Sequence, residues 1–173
     1  MHNQEKKMKV PPELMHPFFF PDKEIHINVH DREFTLHENF MYEMFYYHGE
    51  NAIRPWEQPE TAIPLVIKEW DHLKNVLEHL HSQRDQSTIL IHMKKGIGLF
   101  LQFLYWSNDE AVKLNDETVI DNFIYKPVNV QERLNFLLSR PRLYHSFIQL
   151  AELIKEQEKQ FVIKMIKKNA SRK

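Results

Sequence analysis

The sequence predicts a mainly α protein: a single compact domain of six or seven helices, with one small β-hairpin near residues 25–36. Three observations predict it. Residues 64–82 and 141–168 carry apolar side chains at three- and four-residue spacing, the period of a helix with one buried face. The stretch from Ile89 to Trp106 is apolar nearly throughout, as suits a helix buried on most sides. Proline stands at the edges of these stretches (Pro64, Pro127, Pro141), where helices start and stop. A chain of 173 residues fits one domain, and a hydrophobic content of 42% excludes a wholly disordered one. The expected organisation is a disordered tail at 1–10, one helical domain over 11–168, and a disordered tail at 169–173.

Taken in order, Pro11-Pro12-Glu13 opens a short helix that stops near Pro17. Phe18-Phe19-Phe20 covers the core as an aromatic plug. Ile25-His26-Ile27-Asn28-Val29-His30 alternates apolar and polar, the mark of a strand, and Asp31-Arg32 turns it toward a return over Phe34-Thr35-Leu36. Glu38 to Tyr47 has helical spacing, and Gly49 fits the stop. Residues 48–63 form a long irregular stretch that Trp56 pins to the core. From Pro64, the stripe Val66, Trp70, Leu73, Leu77 and Leu80 defines a helix ending near Ser82. In the central helix, Gly96 and Gly98 permit a close approach by another segment. A short helix follows around Asp116 to Phe123. Asn129 with Glu132 three residues on reads as a capping box for a helix carrying Leu134, Leu137 and Leu138. The last helix runs from Pro141 to Lys168 on the stripe Phe147, Leu150, Ile154, Phe161 and Met165.

Composition excludes several kinds of chemistry. There is no cysteine, so disulfides, thiolate metal sites and a cysteine nucleophile are out. No Gly-x-x-x-x-Gly-Lys, Gly-x-Gly-x-x-Gly or Gly-x-Ser-x-Gly pattern occurs. His145 and Ser146 are neighbours on a helix and point about 100° apart, which is poor geometry for base and nucleophile. The 11 histidines raise the question of metal. Glu-x-x-His occurs at Glu13/His16, Glu69/His72 and Glu78/His81, a spacing that presents ligands on one helical face. A closed site needs three or four convergent groups, and a single water-facing helix does not supply them. No metal and no cofactor are expected.

Charge is the more informative property. The whole chain has a net charge of −1. Residues 130–173 nevertheless carry ten Lys or Arg against four Glu. Arg133, Arg140 and Arg142 surround one helix corner, and Lys155 and Lys159 follow on the last helix. These five residues are the candidate partner-binding patch.

Four runs carry a resemblance to a family. Lys95-Gly96-Ile97-Gly98-Leu99-Phe100, Leu104-Tyr105-Trp106-Ser107-Asn108, Lys126 to Leu134, and Pro141 to Leu150 resemble the YpoC-like proteins of Bacillus-type bacteria, mainly over residues 90–160. The resemblance implies no established activity. The family's genes tend to lie beside genes for replication initiation, base-excision repair and cell-wall synthesis, which inclines the expected partner toward DNA maintenance or cell division.

The expectation is a non-enzymatic cytoplasmic helical protein that binds another protein, with an acidic partner surface suiting the basic patch. The alternatives are an accessory nucleic-acid-binding protein using the basic C-terminal helices, with salt-sensitive affinity, and a histidine-and-carboxylate metalloprotein. No membrane partner is expected, since the longest apolar run is far short of about 20 residues.

Overall fold

The computed structural model describes residues 4–29 and 34–172. Two strands, β1 (Gln4–Lys9) and β2 (Glu24–Val29), pair antiparallel, with Met8 opposite Ile25 and Lys6 opposite Ile27. The helices are α1 (Met41–Tyr47), α2 (Pro59–Gln83), α3 (Gln86–Ser107), α4 (Thr118–Asp121), α5 (Val130–Ser139) and α6 (Tyr144–Ser171). Single 3₁₀ turns occupy Pro12–Leu14 and Pro55–Glu57.

The architecture is built around α3. Every residue from Gly96 to Ser107 is buried, so the second half of this helix is wrapped on all sides. Both α2 and α6 pack on it. Their stripes supply Val66, Trp70, Leu73 and Leu77 from one side, and Phe147, Leu150 and Ile154 from the other. The N-terminal region closes the remaining flank with Leu14, Ile27, Phe40 and Met44, all fully buried in the same core. Phe19 of the aromatic plug meets Phe40 edge-on at 5.1 Å.

Several sequence expectations need correction. The hairpin forms, but the partner of residues 24–29 is Gln4–Lys9 and not residues 34–36, which are not strand. The expected turn at Asp31-Arg32 lies outside the described residues. Residues 4–9 are therefore a strand and not a frayed tail. Their cause is packing: Met8 and Val10 are buried, and Val10 donates its backbone N–H to Lys23 at 2.8 Å. Three exposed lysines obscure that pattern: Lys7 and Lys9 alternate with Met8 onto the wet face, while Lys6, on the Met8 face, reaches outward to Glu50. At the other end α6 extends through Ser171, three residues past the expected stop. It begins at Tyr144, because Pro141 and its neighbours form the preceding turn.

α2 starts at Pro59, not Pro64. Pro59 takes the first position, where no amide is needed, and Pro64 lies inside the helix near that end. The capping box at Asn129 does not form. Asn129 takes a left-handed conformation (φ 54°) and its side chain makes no cap bond. The irregular stretch does carry Trp56 into the core, at 6% exposure and edge-on to Tyr46.

Candidate interaction surface

Two glycines set how closely neighbours approach α3. A Cβ at Gly96 would meet the Leu150 side chain at 3.0 Å and Trp70 at 3.2 Å, so this position admits side chains from both flanking helices. A Cβ at Gly98 would fall 2.3 Å from Asn39 Nδ2. The group that needs the space is thus a side chain, not a backbone. Asn39 uses it to reach the Lys94 carbonyl at 3.4 Å.

The stripe Gly98–Gln102–Trp106 faces the start of α1. Glu43 is fully buried there, and its Oε2 accepts from Trp106 Nε1 at 2.8 Å and from the Val112 amide at 3.1 Å. Tyr47, one turn on, donates to the Val112 carbonyl at 2.9 Å. Glu43 and Tyr47 thereby hold both polar groups of Val112. Burial pushes the Glu43 carboxyl up to about 7, against the pull of its two donors. Asn39 Oδ1, Glu43 Oε1 and both amide atoms of Gln102 are buried without a hydrogen bond.

The C-terminus of α3 is arranged differently. Asn108 Nδ2 donates to Leu104 and Tyr125 carbonyls, each at 2.8 Å, and its Oδ1 accepts the Tyr125 amide at 3.0 Å. Gln157 of α6 donates to the same Tyr125 carbonyl at 3.0 Å. Lys164 places its ammonium 2.7 Å from the Ser107 carbonyl and 2.7 Å from Asp109 Oδ1. A cation at a helix C-terminus answers the negative end of the dipole. Asp109 continues the turn with φ 61°.

The five candidate patch residues separate into two groups. Arg133 grips Glu156 of α6 through two bonds of 2.8 and 2.9 Å and also reaches the Val128 carbonyl, so it ties α5 to α6. Arg140, Arg142, Lys155 and Lys159 are exposed and, among the described residues, make no ion pair. Arg140 and Arg142 lie at the α5–α6 corner beside exposed Leu143 and Tyr144. Lys155 and Lys159 lie on the outer side of α6, within a row of exposed aliphatic residues that composition did not reveal: Ile148, Val162, Ile163 and Ile166. The signal was present in the sequence, because these residues repeat at helical spacing out of phase with the buried stripe.

The Glu-x-x-His pairs do not act as units. Glu69 pairs with Lys95 at 2.5 Å. His81 stacks on Phe147, with ring centroids 5.4 Å apart, and burial holds its pKa below the usual histidine range. His16 accepts the Phe18 amide at 3.2 Å. Among the described residues, no three His, Asp or Glu side chains group as a metal site requires. No helix of the described residues is long and apolar enough to cross a membrane.

Fold and surface together define a mainly helical protein whose distinctive exterior is one long helix. The chain belongs to the YpoC-like protein family, which it matches over residues 60–169. It is 38% identical over 109 residues to a protein of Bacillus subtilis (strain 168) described as uncharacterized protein YpoC. That match covers 62% of this chain and 66% of the relative, slightly under two thirds of the relative's length. No solved structure matches the chain. The runs that carry the family resemblance fall on the second half of α3, the Asn108 cap, the start of α5 and the α5–α6 corner.

Proposed function

We propose that this protein is a non-enzymatic, cytoplasmic interaction module that binds another protein through the α5–α6 corner and the outer side of α6. One observation carries the reading. The inner side of α6 is committed to the core, while its outer side bears exposed aliphatic residues among cations that no acidic side chain of the described residues neutralises. Exposed apolar residues grouped in this way mark contact surfaces. Arginine and tyrosine, which the corner supplies as Arg140, Arg142 and Tyr144, are enriched where partners bind.

Photo-crosslinking in the producing cells tests the reading. A photoreactive residue replaces Tyr144 or Lys155 in turn, with exposed Asn75 of α2 as the control position. The expected result is a discrete heavier adduct from the α6 positions and none from Asn75. Absence of any adduct from both α6 positions overturns it.

A further inference from the structure

We infer that the outer face of α6 is the docking surface for one acidic amphipathic helix of a partner protein. This rests on the interaction reading above and names the partner's chemistry. Ile148, Lys155, Lys159, Val162 and Ile166 recur at helical spacing, with Ile163 alongside. The face is therefore aliphatic at both ends, with two lysines and the exposed Glu152 in the middle, a net positive charge. Ile148, Val162, Ile163 and Ile166 are 40%, 55%, 42% and 63% exposed. Ile148 and Ile166 lie about 27 Å apart along the axis, so the covering helix needs about 18 residues.

Charge decides what that helix carries. Lys155 and Lys159 are like charges four apart, an arrangement that costs a helix a few tenths of a kcal/mol. Three other cations of the C-terminal helices are answered from within the molecule, Arg133 by Glu156, Lys164 by Asp109 and Lys168 by Glu60, whereas Lys155 and Lys159, like Arg140 and Arg142 at the corner, make no ion pair among the described residues. Glu152 borders the two lysines without an ion pair to either. A segment with apolar residues at each end and carboxylates set against Lys155 and Lys159 complements the aliphatic ends and the lysine pair of this face.

Other occupants fit less well. In a second copy running antiparallel, setting Ile148 against Ile166 sets Lys155 against Lys159, so like charges oppose each other. A nucleic acid answers the lysines and leaves the four aliphatic residues uncovered.

The test uses the full chain and two synthetic helical peptides of about 20 residues. Both carry Leu and Ile at their ends; one has Glu and the other Lys in the middle. By calorimetry the Glu peptide is expected to bind about tenfold or more tighter than the Lys peptide. The variant Lys155→Glu/Lys159→Glu, whose changes are both on the solvent side, is expected to reverse that preference with its helical circular dichroism unchanged. Three results overturn the inference: neither peptide binds, charge reversal leaves the preference unchanged, or a DNA duplex displaces the Glu peptide. A self-associating chain in sedimentation whose assembly blocks peptide binding also overturns it. If peptides fail while crosslinks at Tyr144 and Lys155 persist, the acidic-helix assignment falls and the broader interaction reading stands.

Discussion

α3 meets polar groups in two places, and they are handled in opposite ways. At its C-terminus, Asn108, Gln157 and Lys164 join the Ser107 carbonyl and the Tyr125 amide and carbonyl into a shared network, with Gln157 Oε1 left without a partner. One turn and more before it, Asn39, Glu43 and Gln102 bring several polar atoms into the core without partners. A buried hydrogen bond adds about 1 kcal/mol net, whereas a buried orphan costs about 1–3 kcal/mol. The network fixes how α6 and the 122–129 link seat against α3. Beside the unpartnered stripe, the polar ties of α1 are Glu43 to Trp106 and Val112 and Tyr47 to Val112, added to the burial of Met41, Met44 and Phe45.

The largest expected effect breaks the network. Asn108→Ala removes three hydrogen bonds and strands the Tyr125 amide, and it is expected to lower unfolding stability by about 3–4 kcal/mol. Chemical denaturation measures it; a loss below about 1 kcal/mol shows that the two sites do not differ as described.

The second prediction sharpens the contrast at Glu43. Its carboxyl keeps its proton to about pH 7 in the folded chain, against 4.5 for an ordinary glutamate. Between those values the unfolded chain sheds the proton first, so stability from this group falls as pH rises, by roughly 3 kcal/mol, and is level above 7. His16 and His81, held below their ordinary value by burial, act in the opposite sense as pH rises. Comparing wild type with Glu43→Gln isolates the carboxyl: the variant lacks the downward slope. Parallel pH profiles for the two proteins contradict this assignment.

The smallest effect is steric. Gly98→Ala drives a methyl group against Asn39 and detaches it from Lys94, with an expected loss of about 1–2 kcal/mol. A melting temperature equal to wild type removes the packing role given to Gly98.

Legibility in the sequence followed the strength of the periodic signal. α2, α3 and α6 were readable because their apolar stripes span many turns, and burial of those stripes dominates their stability. β1 was hidden because half of a surface hairpin needs only Met8 and Val10 inside, too few for a pattern. The capping box failed at Asn129 because the turn places that residue in a left-handed conformation that spacing does not encode. At the candidate surface, the cations were readable as charge. That Arg133 is spent on Glu156 was not, since the pair spans 23 positions and two helices. The aliphatic row is hard to read from sequence because a second phase on a helix is visible only once the buried one is known.

The stretch shared with relatives begins at residue 60, one residue inside α2. Residues before it nonetheless contribute Leu14, Ile27, Phe40, Met44 and the carboxylate that receives the Trp106 indole. Homology and autonomy therefore do not share a boundary in this molecule. A polypeptide cut down to the shared stretch would bare one whole flank of its central helix to water.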